Sequence, residues 1–426
     1  YSNFIPFPIL INGEKVNTVQ AIWTRNKSEI KDEEYNEFYK FIANAFDEPL
    51  YRLHFSSDAP LQIHSLLFVP QMNMEKFGFG KMDPGVNLYC RRVLIQQNSD
   101  VILPDWLRFV RGVVDSEDLP LNISRETLQD NALIRKLSSV LTNRFLKFLK
   151  EQLKDDRGTY KTFWNTHGMF LKQGVLDDPN HRNEIAPLLF FETSKTESGE
   201  PITLSEYLER MKPDQEKIYY IHGPSRDTIQ SGPYMEAFLK NDIEVLYLYE
   251  PIDDFVFSAL REFVGKELVS ADQSEIDLPE VEETESPSKE EPALSADDKE
   301  SLCGWIKEIL GDRVDAVRDS KRLVESPAMI VCSDGQMTAN IQRIMKATQQ
   351  EVPSFGRNAL EINPSHPIFQ RLVEMRKSGD SEDYAKMVVE HVYDSAMADA
   401  GLLTDPRAMV KRNYEILEKA LSSGSS

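Results

Sequence analysis

The residues best placed to do chemistry lie in a polar run that leads into a long helix. Ser124 is a good N-cap, which puts Arg125 in the first turn and Gln129 four residues later on the same face. A cation in the first turn opposes the helix dipole, so helix stability does not explain Arg125. An arginine beside free helix amides is well suited to holding a phosphate oxygen. The alternative is a surface Arg125 paired with Glu126 or Asp130, and physical reasoning from these residues alone favours it.

Other catalytic motifs are missing from the sequence. The run Gly78-Phe79-Gly80-Lys81-Met82 has the wrong spacing for a phosphate-binding loop and no hydroxyl for magnesium. The turn at Gly223 lacks the glycine spacing of a dinucleotide site, and neither His-Glu-x-x-His nor Gly-x-Ser-x-Gly occurs. The seven histidines never stand three or four residues apart, so we expect no metal site. The sequence therefore argues against a stand-alone hydrolase.

The composition excludes several classes of partner. The chain has 426 residues, of which 41% are hydrophobic, and a net charge of −21. Such acidity disfavours nucleic acid and anionic membrane surfaces, and no apolar run approaches the length of a membrane span. Cys90, Cys303 and Cys332 are widely separated and show no Cys-x-x-Cys spacing, which is typical of a reducing compartment. We expect no nucleic acid and no membrane among the partners.

A long amphipathic helix that follows the Arg125 run must position it. Apolar residues recur at helical spacing from Leu128 to Phe148. Upstream, residues 61–69 and residues 88–95 are each rich in β-branched and aromatic residues, and each run predicts a strand. We expect the helix to pack on this sheet, which makes residues 1–155 a layered α/β domain, the larger of two sub-domains.

A second, smaller α/β unit is predicted over residues 191–270, after a helical connector over residues 156–190. Its strands are expected at 217–221 and 243–249, with one helix over 228–240 between them. This strand-helix-strand order implies a right-handed crossover and a parallel pair. The fold class is therefore α/β (α+β).

An acidic stretch separates this part from the last one. Between Ala271 and Glu300 there are twelve acidic residues against two lysines, with three prolines interspersed. Such a composition cannot bury enough apolar surface to offset its ordering entropy, so we predict a mobile linker over residues 271–295. A mixed α/β C-terminal domain is expected over residues 296–426.

Two helices close the sequence, one over residues 381–400 and one opened by Asp405-Pro406. The second carries an apolar stripe of Met409, Ile416, Leu417, Ala420 and Leu421. The stripe could pack on its own domain or form a two-fold bundle with a second copy, and the residues alone leave both open.

Several runs in this sequence resemble the heat-shock protein 90 chaperone family. The run from Trp106 to Asn131 is similar to the family's signature stretch almost residue for residue. Further similar runs follow in the expected order across nearly the whole chain: Ala21 to Ile30, Glu34 to Lys40, Leu88 to Ile95, Ser205 to Tyr207, Arg210-Met211, Lys217 to Ile221, Ala339 to Ala347 and Leu360 to Pro364. The resemblance implies the family's middle and C-terminal domains.

The resemblance also implies a split catalytic site. Family members bind ATP with Mg²⁺ in a domain that precedes this region, and the middle domain completes the hydrolytic site. Arg125 matches the family's catalytic arginine, and Gln129 and Asn122 match residues that support its loop. We therefore expect the parent protein to be an ATPase and this segment alone to be inactive, with no cofactor bound to it.

Partners follow from the same resemblance. The terminal helix pair is similar to the family's constitutive dimer interface, which favours the two-fold bundle and a homodimer. Non-native client proteins are expected to bind apolar residues, although each of these residues could equally belong to the core: Trp23, Met337, Ile341, Ile344 and Met345.

The position within the family is suggested by what the sequence lacks. It has no acidic Met-Glu-Glu-Val-Asp tail and no long charged segment before Trp23. It therefore resembles a bacterial (HtpG-type) member in the cytoplasm or, alternatively, a member of the mitochondrial matrix. The competing function is a passive scaffold that binds partners through the acidic linker and the helical end. An intact signature run containing Arg125 argues against it.

Overall fold

A computed structural model describes most of the chain, and its residues form two compact units. Residues 1–189 make up the first unit and residues 190–426 the second. The described residues are 4, 7–15, 21–59, 61–119, 131–273, 276, 278, 294–332, 337–347, 358–379 and 382–423.

The described residues of the first unit form a small hairpin, a five-stranded sheet and four α-helices. The sheet has the order β3-β4-β7-β5-β6, in which the β5–β7 pair is parallel and the other pairs are antiparallel. The elements are β1 (Leu10–Ile11), β2 (Glu14–Lys15), α1 (Asp32–Ala43), β3 (Tyr51–Ser57), β4 (Ile63–Val69), β5 (Gly85–Cys90), β6 (Val93–Gln96), β7 (Arg111–Ser116), α2 (Asn131–Asp155), α3 (Arg157–Asp177) and α4 (Arg182–Ile185).

Helix α1 covers part of this sheet and buries a continuous apolar cluster. Three acidic residues in its first turn complement the helix dipole, and Asn44 ends the helix in the left-handed conformation. Phe38 and Tyr39 pack with Phe68 of β4 and with Trp23 from a short 3-10 helix. A second aromatic cluster joins Phe109 to helices α2 and α3. The predicted layered α/β arrangement is confirmed.

The single strand predicted over residues 88–95 is wrong, because the run folds back on itself. β5 ends at Cys90 and pairs antiparallel with β6, which begins at Val93. Arg91 and Arg92 form the turn with φ angles of 49° and 66°. Paired positive φ angles suit a two-residue hairpin, but the run lacks the Gly or Asn that normally marks such a turn.

Where the structure describes it, the second unit has a six-stranded and a three-stranded sheet, with orders β12-β13-β10-β11-β8-β9 and β14-β16-β15. Its elements are β8 (Phe190–Thr193), β9 (Ile202–Thr203), α5 (Leu204–Arg210), β10 (Lys217–His222), α6 (Arg226–Gln230), α7 (Glu236–Lys240), β11 (Val245–Leu248), α8 (Pro251–Leu260), β12 (Glu262–Phe263), β13 (Lys266–Ser270), α9 (Ala296–Leu310), β14 (Val317–Asp319), β15 (Ala328–Val331), α10 (Ala339–Ala347), β16 (Ala359–Ile362), α11 (Pro367–Ser378), α12 (Glu382–Asp399) and α13 (Arg407–Ser423).

Strands β10 and β11 pair in parallel, as their order in the sequence predicts. The single helix predicted over residues 228–240 is wrong, because it breaks into α6, a 3-10 turn and α7. Pro233 lacks the amide that a continuous helix needs at this position, and it begins the 3-10 turn instead.

One apolar cluster joins the two sheets of the second unit. Tyr219 and Val245 of the six-stranded sheet share it with Met329 and Val331 of β15. Ile276, which lies in the segment predicted to be a linker, is also buried there. A second cluster joins the three-stranded sheet to α9, α11 and α12. The mixed α/β fold class is confirmed, and the exact domain boundaries stay a prediction.

Candidate functional site

The predicted catalytic residues Asn122, Arg125 and Gln129 lie outside the described residues. The structure describes the chain on both sides of them, up to Leu119 after β7 and again from Asn131 in α2. Their arrangement therefore stays a prediction, and the structural argument rests on these two flanks.

The chain just before the Arg125 segment is held on the five-stranded sheet. The Asp118 carboxylate accepts a hydrogen bond from the Gln62 amide at 2.7 Å, just ahead of β4. Glu117 lies 3.7 Å from the guanidinium of Arg91 in the β5–β6 turn. Leu119 is buried. Because these ties hold the chain at the end of β7, the segment that carries Arg125 starts from a fixed position.

The outgoing flank is held by the apolar face of α2. Ile134, Leu137 and Leu141 are buried, and Phe145 lies fully inside the aromatic cluster with Phe109. The exposed Arg135 lies on the opposite face. An amphipathic helix of this kind is fixed by its packing rather than by propensity. Both ends of the predicted catalytic segment are thus anchored in the first unit.

Trp23 lies behind β7 and does not reach the surface. Its side chain is 0% exposed, and its indole Nε1 donates to Asp115 Oδ2 at 3.1 Å. The backbone amide of Arg92 donates to the same oxygen at 3.0 Å. Burial raises the pKa of Asp115, and these two hydrogen bonds oppose that change. The burial of Trp23 favours its interpretation as a core residue over a contact with clients.

The other predicted client-binding residues lie on and just before α10, and we call Met337, Ile341, Ile344 and Met345 the α10 stripe. Ile341 is buried, with 9% of its surface exposed, whereas the other three are partly buried. The α10 stripe therefore presents a limited apolar surface in this structure.

The predicted dimerisation stripe on α13 divides between two faces. Leu417 and Leu421 are 49% and 77% exposed, and Ala420 is also exposed. Met409 and Ile416 are partly buried. Arg412 forms ion pairs with Asp394 and Glu390 of α12, the latter at 2.9 Å, so the inner face of α13 is held on its own chain.

Two apolar residues on the outer face of α13 were missed by the sequence reasoning. Val410 and Tyr414 are 48% and 68% exposed and continue the line of Leu417 and Leu421. Their spacing of four, three and four residues is the heptad pattern of helix pairs, a signal that could have found them.

In the described part of the chain, no three His, Cys, Asp or Glu side chains come together in a group that could hold a metal ion. None of the helices described is both long and apolar enough to cross a bilayer.

The signature run, the mixed α/β units and the terminal helix pair can be compared with known proteins. A family model described as Hsp90 protein matches residues 8–426. The chain belongs to the Hsp90 family.

Bacterial and mitochondrial relatives in the Hsp90 family cover nearly all of this chain. It is 53% identical over 421 residues to the chaperone protein HtpG of Desulfitobacterium hafniense, covering 99% of this chain and 67% of that protein. It is 54% identical over 426 residues to HtpG of Desulfotalea psychrophila, covering 99% and 68%. The mitochondrial TNF receptor-associated protein 1 homolog of Dictyostelium discoideum is 42% identical over 429 residues, with coverages of 99% and 59%. The family resemblance of the sequence is therefore confirmed, and the chain is of the Hsp90 chaperone type.

Two carboxylates that hold the start of α10 were also missed by the sequence reasoning. Asp254 of α8 and Asp272 after β13 are buried beside Asn340 and the amide of Ala339. No sequence motif marks them, because their partners lie 86 and 67 residues away along the chain.

Proposed function

We propose that this chain is the middle and C-terminal part of an ATP-driven, dimeric molecular chaperone. The observation that carries the proposal is the match to the Hsp90 family over residues 8–426, with 53% identity to a protein named as a chaperone. The chain spans 67% of that relative's length, which leaves room for a nucleotide-binding domain outside the matched region. The proposed parts are a large α/β sub-domain (1–155), a helical connector (156–190), a small α/β sub-domain (191–270), an acidic linker (271–295) and a C-terminal dimerisation domain (296–426).

Arg125 is proposed to act on ATP bound with Mg²⁺ in the preceding domain. The metal and nucleotide supply the phosphoryl chemistry, and Arg125 contributes positive charge where negative charge develops in the transition state. Asn122 and Gln129 would hold the loop that carries Arg125. The ties at Asp118 and along α2 support this role, because rigid flanks place a catalytic group more precisely.

Client binding and dimerisation are assigned to the second unit. The α10 stripe offers methionines, whose flexible side chains can repack against different apolar partners. The outer face of α13 offers an apolar line to a second copy. A bacterial cytoplasmic location is proposed from the HtpG relatives, with the mitochondrial matrix as the alternative that the mitochondrial relative supports.

The deciding experiment measures ATP turnover by the full-length protein with Arg125→Ala. We expect turnover to fall by about a hundredfold or more at unchanged nucleotide affinity, since only the transition state loses a charge partner. The segment of residues 1–426 alone should show no turnover.

Arg135→Ala is the matched control, because Arg135 is an exposed arginine ten residues further on, in α2. Its turnover should stay within about twofold of wild type. If Arg125→Ala behaves like this control, Arg125 has no part in the chemistry, and the passive scaffold becomes the better interpretation.

A further inference from the structure

The start of α10 is held by two buried carboxylates from the six-stranded sheet layer. Asp272 Oδ2, just after β13, accepts a hydrogen bond from the amide of Ala339, the first residue of α10, at 2.8 Å. Asp254, in the first turn of α8, accepts a hydrogen bond from the side chain of Asn340. Both carboxylates face the amino end of the helix, where its dipole favours negative charge. We call these two contacts the α10 latch.

Further polar contacts extend the latch across the same face of α10. Asn340 Oδ1 accepts a hydrogen bond from Arg343 Nη2 at 2.6 Å. The same Arg343 nitrogen lies 3.5 Å from Nδ1 of His222, at the end of β10. The latch residues therefore meet at the carboxyl ends of β10 and β13, which pair in parallel. In open α/β sheets this edge commonly receives a ligand, and here the chain's own helix occupies it.

The burial of the two latch carboxyl groups is energetically unfavourable. Asp254 and Asp272 are 0% and 6% exposed, and within the described residues Oδ1 of each lacks a hydrogen-bond partner. Burial, together with the nearby Asp272, raises the pKa of Asp254 to about 7, although the hydrogen bond from Asn340 opposes this. Buried carboxyl groups with unsatisfied oxygens oppose folding, so stability alone does not account for them. Such clusters are typical of functional positions.

On another side, α10 is tied to its own sheet layer. The side-chain amides of Gln342 and Asn358 exchange two hydrogen bonds of 3.1 Å, and Asn358 directly precedes β16. Helix α10 is thus held from two directions. The latch is the polar attachment to the six-stranded layer, whereas the Gln342–Asn358 pair belongs to the three-stranded layer.

We propose that the α10 latch controls access to the α10 stripe, so that release of Asn340 and Ala339 from Asp254 and Asp272 presents the stripe to a client. The inference rests on the proposed client-binding function of this helix. In the latched state Ile341 is buried and the rest of the stripe is partly covered. A client that binds only the released helix shifts the population towards release by its difference in affinity for the two states.

The first test fixes the latch with a disulfide between Asp254→Cys and Asn340→Cys in the full-length protein. The readout is suppression of aggregation of a thermally denatured model enzyme. Oxidation should reduce client capture several-fold, and reductant should restore it. The two single-cysteine variants, treated with the same oxidant, are the controls and should show no such reversible change.

The second test releases the latch by Asn340→Ala and compares it with Asn358→Ala. Hydrogen exchange of the α10 amides should become about tenfold faster in Asn340→Ala, since one buried hydrogen bond to a charged group shifts an opening equilibrium by that factor. Client capture should rise with it. Asn358→Ala removes the contact on the other side of α10 and should leave capture unchanged.

The outcomes separate the latch from the proposed function beneath it. If wild type captures the client but neither the disulfide nor Asn340→Ala changes capture, the latch inference is overturned and client binding stands. Equal gains in Asn340→Ala and Asn358→Ala also overturn it, since any loosening of α10 would then suffice. If wild type captures no client, the proposed client-binding function itself fails.

Discussion

His167 in α3 shows how burial sets the titration of a single residue in this chain. Its ring is 0% exposed, stacks on Phe109 at 4.7 Å between ring centroids, and lies with Nε2 2.9 Å from the carbonyl oxygen of Pro70. Because a carbonyl only accepts, Nε2 carries a proton towards Pro70. Burial lowers the pKa of His167 to about 4, although the bond to Pro70 opposes this.

This lowered pKa predicts a loss of stability in mild acid. Between pH 6.5 and 4 the unfolded chain binds a proton at residue 167 that the folded chain does not, so stability is full above pH 6.5 and falls below it. From pH 7 to pH 5 wild type should lose about 2 kcal/mol more unfolding free energy than His167→Gln. Urea unfolding at several pH values measures the difference, and parallel profiles for the two proteins would contradict it.

At the scale of elements, strand β7 contains a glycine, Gly112, because the backbone of the neighbouring strand β4 lies too close for a side chain. Gly112 has a φ of +137°, and a Cβ at this position would lie 2.2 Å from the carbonyl oxygen of Leu66 in β4. Both strands sit in the centre of the five-stranded sheet, and β7 leads directly to the segment that carries Arg125. The close approach of the two backbones is possible only without a side chain.

Gly112→Ala should therefore destabilise the protein by about 3 kcal/mol or more, because a backbone clash adds to the strain of the positive φ. Denaturant unfolding gives the total, and hydrogen exchange should show faster opening of β4 and β7. Gly199→Ala is the matched control, since Gly199 also has a positive φ of +79° but no atom within 4 Å of an added Cβ. Equal losses in the two variants would show that the approach of β4 does not matter.

At the scale of the whole molecule, the exposed outer face of α13 is the proposed interface with a second copy. Val410, Tyr414, Leu417 and Leu421 form one exposed apolar line, while Arg412 holds the inner face on α12. Exposed apolar lines of this length commonly mark interfaces. In a two-fold interface both copies contribute the same side chains, so each residue buries its apolar surface twice.

Replacement of both Leu417 and Leu421 with Glu should convert the proposed dimer to monomer. Four buried leucines would become four like charges in the interface, so we expect association to weaken by about a hundredfold or more. Analytical ultracentrifugation measures the dissociation constant. Ala408→Glu, on the exposed side of α13 that points away from the apolar line, adds charge without touching that line and should remain dimeric. A dimer that survives the double substitution would place the interface elsewhere.

The sequence alone determined the family, the fold class and several of the helices and strands. Those features rest on local information: a contiguous run such as Trp106 to Asn131, the helical spacing of apolar residues in α2, and the strand-helix-strand order around β10 and β11. Turns were predicted less well. The arginine pair at Arg91 and Arg92 adopts a conformation that neither residue type signals.

Only the tertiary structure decided which apolar residues and which helix faces are buried. It buries Trp23 against Asp115, which is 92 residues away, and it brings Asn340 to Asp254 across 86 residues. It also divides the α13 stripe between an inner face held by Arg412 and an outer face that is exposed. Periodicity shows that a face is apolar, but what covers that face depends on contacts between distant segments, which form only when the chain folds.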